Sequence, residues 1–136
     1  MSTADIVRAF RNEAVMKILV DDSKVQSGPF DGGCLIVAKA FKNLFPEGRI
    51  VHISFTGPNG KQHADHYGLR LPDKMIIDAA GLHESADCWI AYLNMHEGMR
   101  SGRRVRQGIL IDPDIDDPTA VNKLTTALQK VLENKL

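Results

Sequence analysis

Apolar residues Ile6, Val7, Phe10, Ala14 and Ile18 recur at helical spacing, while Arg8, Arg11, Asn12 and Lys17 face away. The spacing predicts an amphipathic helix over 3–20, capped by Ser2 or Thr3. Asp21-Asp22-Ser23 ends the pattern, and the glycines and proline of 23–33 predict a loop. From about Gly33 to Phe45 the chain turns apolar nearly all round: Leu35, Ile36, Val37, Ala38, Ala40, Phe41, Leu44 and Phe45. A helix of that kind is buried and central. Pro46-Glu47-Gly48 stops it.

The period then changes to two. In Arg49–Thr56, Val51, Ile53 and Phe55 share one face while His52 and Ser54 share the other, which predicts a strand. Gly57-Pro58-Asn59-Gly60 is a turn. His66–Leu71 predicts a second strand, with Tyr67, Leu69 and Leu71 on one face and His66, Gly68 and Arg70 on the other. Pro72-Asp73 reverses the chain, and Lys74–Ala79 returns as a third strand. Strands this close in sequence pair antiparallel. Ser85 caps a helix to about Met95 with an apolar stripe of Ala86, Trp89, Ile90 and Leu93. Arg104–Asp112 predicts a fourth strand, and 119–134 a last amphipathic helix through Val121, Leu124, Leu128, Val131 and Leu132. The order ααβββαβα predicts one α+β domain over 1–136. It has an antiparallel sheet of about four strands, packed against a central N-terminal helix and flanking helices.

Composition narrows the function classes. The 136 residues carry 17 basic and 17 acidic side chains, so no global charge draws the chain to nucleic acid or membrane. The basic cluster Arg100–Arg106 reads as a solvated turn and strand edge. No apolar run approaches the ~20 residues of a membrane span, and no secretory leader is evident. Two cysteines make no disulfide framework, so both read as reduced thiols in a cytoplasmic protein. No motif requires a cofactor, and oligomeric state is not legible.

Candidate chemistry begins at Gly32-Gly33-Cys34. Two glycines permit close backbone approach, and the first turn of a helix carries unpaired N–H groups and partial positive charge. That environment lowers a thiol pKa, and the backbone N–H groups at Gly33 and beyond can hold an oxyanion. The alternative is a small buried hydrophobe. A thiol nucleophile needs an imidazole base and a group to orient it. His66 and Asp78 are the candidates. A three-residue loop at 71–73 sets them directly opposite on one face, whereas a two-residue loop at Pro72-Asp73 sends Asp78 to the other. Gly68 thins the sheet on the His66 face, where the Cys34 helix would lie. Cys88, mid-helix beside Trp89, reads as core. His52, His83 and His96 read as surface or satisfied core histidines, and Trp89 and Tyr92 as packing. His63-Ala64-Asp65-His66 invites a metal reading with Cys34, but it lacks the paired spacing of zinc ligands. No metal is expected.

The run Gly32-Gly33-Cys34 opening a central helix, then His66-Tyr67-Gly68-Leu69-Arg70-Leu71, then Met75-Ile76-Ile77-Asp78, resembles the transglutaminase-like and wider papain-like cysteine enzymes, particularly compact bacterial or phage members. The resemblance covers about 28–82. It implies a papain-like core with Cys34 as nucleophile, His66 as base and Asp78 as orienter. It also implies acyl transfer from a peptide, isopeptide or small thioester to water, an amine or a thiol. Gln26 stands loosely where such enzymes carry an oxyanion-hole glutamine, and Gly68 stands where an aromatic is usual. The rival reading is a non-catalytic interaction protein that keeps the fold.

Overall fold

The computed structural model describes residues 34–56, 60, 62–78, 81–97, 104–108 and 118–133. The helix expected over 3–20, the loop over 23–33, Gln26 and Gly33 lie outside the described residues.

Helix α1 (Cys34–Leu44) leads into β1 (Arg49–Thr56), β2 (Gln62–Arg70), β3 (Ile76–Asp78) and β4 (Gly81–His83). Then come α2 (Ala86–Glu97), β5 (Arg104–Gln107) and α3 (Pro118–Glu133). The sheet is antiparallel, in order β4-β3-β2-β1-β5. The fold is α+β as expected, with one strand more than four.

The apolar circumference of α1 has a direct cause. Ile36, Val37, Ala40 and Phe41 are buried between Leu69 and Ile77 of the sheet and Ala120, Val121, Leu124 and Leu128 of α3. Leu35 and Ala38 pack on Tyr67. Full burial of a side chain such as Phe41 stabilises by roughly 1.5–3 kcal/mol. Lys42 closes the helix by donating through Nζ to the carbonyls of Pro46 and Gly48. Pro118 opens α3 at the position where a missing N–H costs nothing.

The opposite face of the sheet is covered by α2, whose Trp89 and Leu93 pack on Val51, Ile53 and Ile76. Ser85 caps α2, its Oγ accepting from Cys88 N at 3.2 Å. Both faces of β1 are therefore buried, and His52 and Ser54, on the polar side of the alternation, are as enclosed as Val51 and Ile53. Among the described residues no helix is long and apolar enough to cross a membrane.

Gly48 sets the corner between α1 and β1. A Cβ there would stand 2.8 Å from both Cγ and Cδ2 of the buried Leu69. Gly48→Ala is expected to force Leu69 from its rotamer and to cost about 1–3 kcal/mol. A urea melt checks this, and an unchanged midpoint would show that the corner relaxes freely.

Candidate active site

The β2–β3 hairpin decides which side chains meet. Its loop is Pro72-Asp73-Lys74: Leu71 N donates to Met75 O at 2.8 Å, and Lys74 N to Leu71 O at 2.9 Å. Leu69 pairs with Ile77 and Arg70 with Ile76, so Gly68 stands opposite Asp78. This is neither of the two registers the sequence left open. It still puts His66 and Asp78 on one face, diagonal rather than opposite, because Gly68 places no side chain between them.

His66 Nε2 donates to Asp78 Oδ2 at 3.0 Å, and both side chains are only 1% exposed. Trp89 Nε1 donates to the same oxygen at 2.9 Å. The other oxygen, Oδ1, accepts from His83 Nε2 at 3.0 Å and from Gly81 N at 3.2 Å. A carboxylate with two donors on each oxygen is a strongly held anion. Burial pushes the Asp78 carboxyl up, but the hydrogen bonds and charge of His66 and His83 outweigh it and hold the group well below the usual carboxylate range. The carboxylate accepts from His66 Nε2–H in either charge state of the ring, and in the neutral ring that bond leaves Nδ1 as the accepting nitrogen.

The face matters as much as the pair. The His66 and Trp89 rings lie 5.8 Å apart, and a Cβ on Gly68 would stand 3.0 Å from Trp89 Cζ2. The His66 face is thus the α2 face. The thin sheet at Gly68 accommodates Trp89 and not the helix that starts at Cys34, because Tyr67 and Leu69, one residue out of phase, are the ones that meet α1. Cys34 is the first residue of α1. A bulge in β2 shifts the register between Ile53↔His66 and Ser54↔Ala64, which leaves Asp65 as the extra residue just before His66.

Cys88 is exposed rather than core. The stripe Ala86, Trp89, Ile90 and Leu93 holds the inner face of α2 and rotates position 88 outward. Among the described residues no group of three His, Cys, Asp or Glu side chains is arranged to hold a metal. The side chains of His63 and Asp65 lie outside the description.

Three residues of this region have roles that the sequence does not assign them. His83 fits the satisfied-core alternative of its sequence reading and Trp89 does pack in the core, but both also donate to Asp78. The available signal was a carboxylate ending the apolar run Met75-Ile76-Ile77, which needs several donors once buried. The third is His52. It is 3% exposed and faces α1, beside Tyr67 at 5.8 Å between ring centroids. Its Nδ1 donates to Gly108 O at 3.0 Å, and its Nε2 is buried with no partner among the described residues.

Comparison with protein-family models, with curated proteins and with solved structures finds no match.

Proposed function

We propose that the chain is a cytoplasmic thiol-dependent hydrolase or acyltransferase acting on an amide, isopeptide or thioester of a peptide, protein or small acyl substrate. The observation that carries this reading is the buried 3.0 Å bond between His66 and Asp78. It supplies an imidazole oriented by a carboxylate, two of the three groups of a Cys-His-Asp site. In the proposed step His66 Nδ1 takes the Cys34 thiol proton and the sulfur adds to the substrate carbonyl carbon. The same proton passes to the departing amine or thiol as the tetrahedral intermediate collapses to a thioester. Water, an amine or a thiol then attacks the thioester and releases Cys34. Because α1 and the His66 ring occupy opposite faces, this reading requires thiol and ring to meet beyond the end of the α1 contact, near the β2 bulge.

That placement also favours a second reading, in which the Asp78 cluster braces the fold and the protein acts as a non-catalytic interaction module. Thiol kinetics separate the two. In a Cys88→Ala background, needed because Cys88 is exposed, Cys34 alkylation by iodoacetamide is followed by intact mass from pH 5 to 10. The triad predicts a thiolate fraction that persists below the ordinary thiol pKa of ~8.5. His66→Gln should abolish that low-pH arm and His52→Gln should leave it. Loss with His52→Gln instead would move the base to the imidazole on the α1 face. An unperturbed profile in the parent would leave the interaction module. Cys88→Ala itself should change stability by less than about 0.5 kcal/mol, as for surface substitutions generally.

A further inference from the structure

We propose that the end of the sheet formed by Arg49, Arg70 and Lys74 is a binding site for a dianionic phosphomonoester. Arg49 and Arg70 are directly opposite each other on β1 and β2. Like charges in that relation repel, and unrelated surface strands avoid it. Neither guanidinium has a hydrogen bond or ion pair among the described residues. Both line a cleft of about 460 Å³ that Lys74 and Gln107 share, a volume in the range of small-ligand sites. Among the described residues Glu47 is the sole carboxylate on the lining, against three cations. The nearby Asp73 carboxylate is not part of that lining and accepts from Met75 N at 3.1 Å. Leu71 and Pro72 give the cleft an apolar wall.

Lys74 adds an independent observation. It is the third residue of a three-residue hairpin loop and has φ of +71°. Glycine is the residue that adopts this conformation without strain, and hairpins of this length ordinarily use it there. Lys74 lines the same cleft as the two arginines, so the residue at this strained position brings a third cation to it. Two guanidinium forks and an ammonium fit the tetrahedral oxygens and double charge of a phosphomonoester better than a single carboxylate. The Gln107 amide adds a neutral donor. The site lies four residues along β2 from His66, about 13 Å at the rise of a strand, and does not rest on the thiol reading.

The test is titration of the full chain with phenyl phosphate, and separately with inorganic phosphate and benzoate, by calorimetry at 50 mM salt and pH 7.5. Saturable binding of the two phosphates, at least tenfold tighter than benzoate, is expected. Arg49→Gln and Arg70→Gln should each weaken it at least tenfold, and Lys130→Gln on the exposed side of α3 should leave it unchanged. Lys74→Gly should raise the melting temperature while weakening binding several-fold, a pairing that general destabilisation cannot produce. No saturable phosphate binding at millimolar concentration would overturn the proposal. So would equal affinity for benzoate, equal weakening by Lys130→Gln, or unchanged affinity in Lys74→Gly.

Discussion

Asp78→Ala is expected to lower the melting temperature by about 10–20 °C, the largest effect of any single polar substitution in the described residues. The cause is the donors it strands. Trp89 Nε1, His66 Nε2, His83 Nε2 and Gly81 N all point at one carboxylate. Removing one partner of a buried ionic cluster typically costs about 3–5 kcal/mol, because the remaining groups keep their desolvation without their bonds. For a chain of this length that corresponds to the shift stated. Asp78→Asn keeps the shape but offers one acceptor oxygen and turns an amide N–H toward other donors, so it should also destabilise. If Asp78→Asn melts with the parent, the charge is irrelevant and only the shape of the side chain matters.

The same carboxylate sets an acid limit. Its folded pKa is depressed, since the His66 and His83 interactions outweigh burial. A depressed carboxyl stabilises the fold fully above its unfolded pKa of ~3.9, and that contribution is lost as pH falls toward the lower folded value. Stability should therefore fall with acid from about pH 5 downward, and less steeply in Asp78→Asn. Urea midpoints between pH 2 and 7 measure this. Equal slopes in the two proteins would assign the acid loss to other groups.

Much of this arrangement is legible along the chain, and the parts that are not have identifiable reasons. The apolar circumference of α1, the alternation of β1 and the reversal at Pro72 each follow from local pattern, and each is present. β4 is only Gly81-Leu82-His83, too short for alternation to register, and it follows Ala79-Ala80 with no strong turn residue. Register failed for a related reason. The loop that sets it places a lysine at the position of positive φ, so the glycine that would have marked a three-residue turn is missing. The site was half legible. His66 and Asp78 could be paired from the hairpin, because sheet neighbours are a local matter. The partners His83 and Trp89 could not, and neither could the face, because β2 offers Tyr67 and Leu69 on one side and Gly68 on the other. A periodicity of two says which residues travel together, not which helix they meet. His52, open to a surface or a core reading from the sequence, is buried. It sits on the polar side of β1, and only the covering of both faces makes it a core residue.

Trp89→Ala is expected to detach α2 from the sheet, at a cost of about 3–5 kcal/mol. Trp89 is fully buried and packs against Val51, Ile53 and Ile76. Its indole edge occupies the space above Gly68, where a Cβ would lie 3.0 Å from Cζ2, 3.1 Å from Ile76 Cγ2 and 3.2 Å from Ile77 O. The glycine and the tryptophan are therefore two halves of one fit, and the indole N–H reaches Asp78 only because the strand lacks a side chain there. This makes a quantitative expectation about their coupling. Gly68→Ala alone should cost about 1–3 kcal/mol through overpacking. Trp89→Phe alone should cost a similar amount, losing the Nε1 bond and part of the buried surface. Phenylalanine lacks the indole carbon nearest Gly68, so the double variant should be more stable than the sum of the single costs, by about 0.5–1 kcal/mol. The relief stays partial because the Ile76 and Ile77 contacts remain. Chemical denaturation of the four proteins closes the cycle. Strict additivity would mean that Trp89 gives way without cost and that the close approach at Gly68 is not what positions α2 over His66 and Asp78.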